Sequence, residues 1–187
     1  MLSVLTSWDA EAMNALHQLR WAPLTAFFVL ASAWWVKWPL LAAVGAFGDT
    51  RAGRRLPRAA LAASLAAGLG ALAATGLKEV VDRARPPLGD VDVTAVVALP
   101  ASPSFPSGHA ATAFAAATVV AVLHPRLRIP ALAIAALVAL SRVYLGVHYW
   151  SDVTAGSALG VAIGLAIAIV AKRTAKQGDR DAAPLAV

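Results

Sequence analysis

Apolar residues in this chain form long, nearly unbroken stretches instead of alternating with polar residues. Four stretches, at about 59–77, 110–124, 129–146 and 153–171, reach or approach the roughly 20 residues that an α-helix needs to cross a bilayer. A fifth, at 21–47, is interrupted by WWVKWP, whose tryptophans and lysine are typical of a membrane–water interface. The pattern predicts an all-α polytopic membrane bundle with about five transmembrane helices.

The path of the fifth stretch is open to two interpretations. It is either one tilted span, or a short interfacial or re-entrant helix at 22–33 followed by a span from about 34 to 48, which we favour. Residues 1–20 contain Asp9 and Glu11 and have no basic segment ahead of a long apolar core, unlike a signal peptide. We interpret them as an amphipathic helix at the membrane surface.

The domain organisation that follows is simple, because the sequence contains no internal repeat and no linker. Residues 1–171 are predicted to form one integral-membrane domain, with an interfacial segment at 1–33 and a helical core at 34–171. The polar residues 172–187 are expected to form a solvated, disordered cytoplasmic tail.

Composition supports a membrane protein and excludes several chemistries. The chain is 59% hydrophobic and only 14% charged, whereas soluble domains carry about 25% charged residues. It contains no cysteine, which excludes disulfides, thiol catalysis and cysteine-bound metals.

Positive charge predicts the orientation of the helices. The net charge is +6, and we attribute this excess to cytoplasmic loops, not to nucleic-acid binding. Five crossings place three basic segments on one side of a bacterial plasma membrane, with the C-terminus inside and the N-terminus outside. These segments contain Arg51, Arg54, Arg55 and Arg58; Arg126 and Arg128; and Lys172, Arg173, Lys176 and Arg180.

The opposite side also carries basic residues, which runs against the orienting rule. Lys78, Arg85 and Arg142 lie at span ends there, and we expect an anion to hold them. Arg83 is expected to pair with Asp82 or to reach a second phosphate group.

Two further polar clusters lie on this second side. Ser107 and Gly108 precede the helix predicted from about 110, where they form either a plain N-cap or an anion-binding turn. If residues 148–152 are helical, His148 and Asp152 lie one turn apart, and the carboxylate fixes the imidazole tautomer. Together with His109, these groups suit phosphoryl transfer by a histidine nucleophile.

The three clusters together form a recognisable signature. Lys78-x6-Arg85-Pro86, Pro106-Ser107-Gly108-His109 and Ser141-Arg142-x5-His148-x3-Asp152 resemble the motifs of the type 2 phosphatidic acid phosphatase superfamily, which also contains vanadium haloperoxidases and bacterial acid phosphatases.

The resemblance implies a role for each matching residue. His148 would be the nucleophile that forms a phosphohistidine, Asp152 would orient it, and His109 would be the general acid. The phosphate would be bound by Lys78, Arg85, Ser107, Gly108 and Arg142. No metal or other cofactor is required in the hydrolytic members. Membrane members usually have six helices, and we expect the interfacial N-terminal segment to replace the first.

The expected substrate is a membrane lipid, because a largely apolar protein whose site lies at the outer membrane–water boundary suits a phosphate at headgroup level. A lipid phosphate monoester or diphosphate is favoured, with polyprenyl (undecaprenyl) diphosphate first and phosphatidylglycerophosphate or phosphatidic acid as alternatives.

Three other classes of activity remain as alternatives. The first is a non-catalytic anionic-lipid binder or transporter, the second is phosphoryl transfer to an acceptor other than water, and the third is a haloperoxidase. The lipid bilayer is the expected partner, and the sequence specifies no protein partner.

Overall fold

The computed structural model describes residues 2–54, 57–89 and 93–181, and every regular element within them is helical, which confirms the all-α prediction. Arg55 and residues 182–187, singled out above, lie outside the described residues. The α-helices in chain order are α1 (Leu2–His17), α2 (Ala22–Ser32), α3 (Trp34–Arg51), α4 (Arg58–Val81), α5 (Gly108–Leu123), α6 (Arg128–Tyr144) and α7 (Trp150–Asp181). Short 3-10 helices follow α4 (Pro86–Leu88) and α5 (Pro125–Leu127).

Three helical segments among the described residues are long and apolar enough to cross a membrane. They are Arg58–Leu88, Pro125–Tyr144 and Trp150–Ala175. The predicted span at 110–124 corresponds to α5, which is apolar but has only 16 residues. The predicted span at 34–48 corresponds to α3, which contains Pro39.

The stretch 21–47 contains two helices, as in the second of the two paths. Ala33 separates them, because its ψ of 134° is extended and its N–H bonds to the Leu30 carbonyl instead of continuing the helix. Pro23 lies in the first turn of α2, where a missing backbone N–H breaks no helical hydrogen bond.

Helix α5 is the centre of the bundle and packs against α3, α4, α6 and α7. Its alanine-rich sequence has few large side chains, so its neighbours approach closely. On α7, a Cβ added at Gly156, Gly160 or Gly164 would collide with carbonyl oxygens of α5 or of its N-cap. The Cβ added at Gly164 would lie 2.6 Å from the Ala115 oxygen. The small residues of α7 therefore bring two backbones into contact.

The predicted disordered tail is wrong for residues 172–181, because α7 continues to Asp181, ten residues past the predicted end of the span. The segment AKRTAKQ is rich in good helix formers, and extending an existing helix requires no new nucleation.

The end of the bundle away from the three polar clusters is held by a buried carboxylate. Asp49 of α3 accepts the Ala59 N–H of α4 at 2.7 Å and lies 3.1 Å from Nε2 of His124, which follows α5. Arg54 also contacts Asp49, at 3.3 Å. Three helix ends are thereby joined at the end that carries the basic loops.

Candidate active site

Four helix ends meet at the opposite end of the bundle: the C-terminal ends of α4 and α6 and the N-terminal ends of α5 and α7. These ends carry the three polar clusters identified in the sequence. Six of the eight predicted site residues are buried, namely Lys78, Arg85, Ser107, Arg142, His148 and Asp152. Gly108 and His109, in the first turn of α5, are half-buried.

The histidine and the carboxylate are paired, although His148 lies two residues before α7 begins, so residues 148–152 do not form the full helical turn considered above. Nδ1 of His148 lies 3.3 Å from Oδ2 of Asp152. The same oxygen accepts the Tyr149 N–H at 2.9 Å and a hydrogen bond from the Ser104 hydroxyl. Because an ionised carboxylate only accepts hydrogen bonds, Nδ1 carries the imidazole proton and Nε2 keeps a free electron pair.

The charge state of the histidine also suits a nucleophile. Burial lowers the pKa of His148 from its ordinary value of 6.5 to about 4. The positive charges of Arg85 and Arg142 act in the same direction, whereas the hydrogen bond to Asp152 and its negative charge oppose the shift. His148 is therefore neutral at pH 7.

Two of the predicted phosphate-binding cations lie against the loop that precedes α5. Nη1 of Arg85 lies 3.4 Å from Nε2 of His148 and donates to the Val147 carbonyl at 2.7 Å. Arg85 and Lys78 also donate to carbonyl oxygens of residues 100–104. The loop thus holds Arg85 where its Nη1 donates to the unprotonated Nε2 of the imidazole.

The third cation, Arg142, is buried with an unpaired donor. Its side chain lies in the last turn of α6, and Nε has no hydrogen-bond partner. A buried N–H without a partner costs about 1–3 kcal/mol, which a bound oxyanion would recover. An oxyanion bound at this position would satisfy the unpaired donor.

Ser107 joins the two central helices. Its hydroxyl accepts the Ala110 N–H at 3.4 Å, so it caps α5 as in the plainer interpretation. Its backbone N–H donates to the Asp152 carbonyl at 2.9 Å. The first amides of α5 lie at the positive end of the helix dipole, where anions are stabilised.

Three residues outside the predicted set complete the site: Arg83, Asp9 and Ser104. Arg83 pairs with Asp152 and with Asp9 of α1, so its expected pairing with Asp82 is wrong. Ser104 bonds to Asp152 but lies outside the three motifs. Only Arg83 carried a signal, a basic residue on the side where basic residues are disfavoured.

Fold and site together define a class: an all-helical membrane protein with a neutral histidine, oriented by a carboxylate, beside three cations. Among the described residues, no group of three or more His, Asp or Glu side chains is arranged to hold a metal ion. The arrangement can bind an oxyanion and present a nitrogen nucleophile to it.

The chain belongs to the PAP2 superfamily, whose sequence profile matches residues 59–176, and the resemblance stated above is thereby confirmed. The lipid A 1-phosphatase of Rhizobium etli is 41% identical over 106 residues, covering 54% of this chain and 46% of that protein. The decaprenylphosphoryl-5-phosphoribose phosphatase of Mycolicibacterium smegmatis is 40% identical over 123 residues, covering 64% of this chain and 62% of that protein. The chain thus spans less than two thirds of the length of these curated relatives.

Solved structures show the same architecture over more of the chain. A PAP2-type phosphatidylglycerolphosphate phosphatase from Bacillus subtilis superposes with a TM-score of 0.70 at 29% identity, covering 97% of this chain and 89% of that one. Aquifex aeolicus LpxE superposes with a TM-score of 0.68 at 27% identity, covering 84% of this chain and 92% of that one.

Proposed function

We propose that this protein is an integral-membrane phosphatase that hydrolyses a phosphate monoester or diphosphate of a lipid through a phosphohistidine on His148. The observation that carries the proposal is the neutral, buried imidazole whose unprotonated Nε2 accepts a hydrogen bond from Arg85 at 3.4 Å. A binder or transporter of anionic lipids needs the cations but has no use for an oriented nucleophile.

In the first step, the Nε2 electron pair of His148 attacks phosphorus and the bond from phosphorus to the leaving oxygen breaks. His109, as general acid, gives its proton to that oxygen. Asp152 accepts from Nδ1 and stabilises the positive charge that forms on the ring. Lys78, Arg85 and Arg142 stabilise the equatorial phosphate oxygens, and Ser107 and the Gly108 amide bind the same group.

In the second step, water attacks the phosphohistidine and the phosphorus–nitrogen bond breaks. His109, now neutral, takes a proton from the attacking water, so that inorganic phosphate leaves and both histidines return to their starting states. These two reaction steps require no metal ion and no cofactor.

The substrate we favour is a polyprenyl diphosphate, held with its phosphates at the site and its chain in the bilayer. The M. smegmatis relative, named for a decaprenyl-linked phosphoribose, supports a polyprenyl lipid and makes a monoester of that type the second candidate. Phosphatidylglycerophosphate follows from the B. subtilis structure, and phosphatidic acid is the remaining alternative.

The site is proposed to face outward from a bacterial plasma membrane, with the C-terminus in the cytoplasm. Exposed basic residues support this orientation, because they lie at the other end of the bundle: Arg51, Arg54, Arg58, Arg126, Arg128, Lys172 and Arg173. Since the chain has no cysteine, Ala101→Cys at the site end and Ala52→Cys at the other end give clean accessibility probes. In intact cells, an impermeant maleimide should label only the first, and labelling of the second alone would reverse the orientation.

The activity is tested by phosphate release from the detergent-purified full chain in the presence of EDTA. The panel contains polyprenyl diphosphate, decaprenylphosphoryl-5-phosphoribose, phosphatidylglycerophosphate, phosphatidic acid and a soluble ester. Release should be fastest from a lipid, and it should vanish in His148→Ala. His17→Gln, a histidine substitution away from the nucleophile, should retain activity.

Two results would contradict the proposal. Release from no substrate would favour an anion-binding protein or transfer to an acceptor other than water, and loss of release in EDTA would argue for metal chemistry. Acid-labile, alkali-stable labelling by ³²P-substrate that disappears in His148→Ala would identify the phosphohistidine directly.

A further inference from the structure

Arg83 lies between α4 and the catalytic pair and is restrained on several sides. Nη1 donates to Oδ1 of Asp152 at 2.7 Å and to the Ser151 hydroxyl at 2.6 Å. Nη2 donates to Oδ2 of Asp9 at 3.1 Å. The guanidinium carbon lies 3.9 Å from the centre of the Tyr149 ring. Its terminal nitrogens thus donate to two carboxylates, Asp152 and Asp9, whose negative charges make this side chain poorly placed to bind a second phosphate.

Asp9 brings the N-terminal helix into the same network. It is only 5% exposed, although it lies in the part of the chain expected to rest on the membrane surface. Oδ1 accepts the Ser151 N–H at 2.9 Å, and Oδ2 accepts the Ser151 hydroxyl as well as Arg83. Asp9 thus caps the first turn of α7 from another helix, where a negative charge is favourable.

The two oxygens of Asp152 have separate partners. Oδ2 faces His148, the Tyr149 N–H and the Ser104 hydroxyl, whereas Oδ1 faces Arg83. A fully buried carboxylate that loses the partner of one oxygen will rotate or protonate to recover a hydrogen bond. Either change disturbs the bond to Nδ1 that fixes the imidazole.

We infer that Arg83 is a positioning residue that holds Asp152, and through it His148, in the reactive arrangement, and that α1 completes the active site by holding Arg83 through Asp9. The inference rests on the proposed function for its catalytic consequence. The planar guanidinium suits the task because its two terminal nitrogens reach two carboxylates at once, which a lysine ammonium on one flexible stem does less well.

The test compares Arg83→Gln, Arg83→Lys, Asp9→Asn and the double variant Asp9→Asn/Arg83→Gln with the unaltered full chain. Arg83→Gln should lower kcat roughly 10- to 100-fold, the cost typical of losing an outer-shell partner that holds a reactive side chain's neighbour in place. KM should stay within about twofold, because the phosphate-binding cations are untouched. Arg83→Lys should recover part of kcat, and Asp9→Asn should lower it less than Arg83→Gln.

The double variant tests the connection through α1. If Asp9 acts through Arg83, adding Asp9→Asn to Arg83→Gln should lower kcat no further. Glu11→Gln is the matched control, because Glu11 lies on the same helix and is exposed. If the double variant lowers kcat by the product of the two single effects, Asp9 acts independently of Arg83. A KM raised tenfold at constant kcat would make Arg83 a substrate contact instead.

A second measurement does not depend on turnover. The chain has four histidines, so ¹⁵N-histidine NMR in detergent can assign His148 by its absence in His148→Ala. The unaltered chain should hold the Nδ1–H tautomer, and Arg83→Gln should give a mixture. An unchanged tautomer together with unchanged kcat would overturn the inference. An inactive unaltered chain whose tautomer shifts in Arg83→Gln would instead overturn the proposed function alone.

Discussion

The depressed pKa of His148 makes a quantitative prediction about acid tolerance. Only the neutral imidazole can attack phosphorus, so activity should be lost as pH falls through the pKa of His148. With that pKa at about 4, roughly 90% of the imidazole is neutral at pH 5, whereas at the ordinary 6.5 only about 3% would be. Burial therefore preserves about 30-fold more of the active form at pH 5.

Two measurements check this pH dependence. The imidazole resonance of His148, identified by its absence in His148→Ala, should not titrate between pH 5 and 8. As pH falls from 7 to 5, the kcat/KM profile should show no loss of activity through an enzyme ionisation, after correction for the second ionisation of a monoester at about 6. A His148 resonance that titrates at 6 to 7 would refute the reasoning, because it would show a solvated imidazole.

Three further predictions concern catalysis and packing. Asp152→Asn should lower kcat by about 10³–10⁴-fold in the release assay, because an amide can favour the wrong imidazole tautomer, while equilibrium binding of orthovanadate is retained. His109→Ala should slow release of a lipid alcohol more than release of p-nitrophenol, because a poor leaving group needs the proton more. Gly160→Ala should destabilise the protein by about 1–3 kcal/mol in thermal unfolding, because the added Cβ meets the Ala111 carbonyl.

Each of these three has an outcome that would contradict it. Unchanged turnover in Asp152→Asn would remove its orienting role, and equal slowing on both leaving groups would remove the acid role of His109. For the packing prediction, Gly68→Ala is the matched control. That helical glycine has open space around it, so alanine there should stabilise by up to about 1 kcal/mol. Equal effects at Gly68 and Gly160 would contradict the close contact.

The parts of the site that the sequence predicts are those built from short-range spacing. Asp152 follows His148 by only four residues, and this short separation keeps the two side chains together although α7 begins only at Trp150. The helices themselves follow from long apolar runs. The break at Ala33 is less clear from the sequence, because it lies within one such run and only the interfacial WWVKWP segment indicates it.

The remainder depends on contacts between distant segments. Asp9 and Ser151 are 142 residues apart, and no local pattern shows that a carboxylate on a surface-type helix will cap α7. Asp49 and His124 are joined in the same way, 75 residues apart. Residues 172–181 differ from the prediction for another reason: their polarity predicts disorder, whereas their helix propensity lets α7 continue once it has begun.

The contact between α5 and the glycines of α7 fixes the backbone at the site while leaving the outer faces of the helices open to substitution. Gly156 lies against the Ser107 carbonyl, one turn beyond Asp152, so the two main chains are in contact where the segments that carry His109 and Asp152 meet. Backbone contact thus sets the distance between these two segments, and lipid-facing side chains can vary without changing it. A fixed backbone with variable lipid-facing side chains is consistent with relatives named for lipid A, a polyprenyl phosphoribose and a glycerophospholipid.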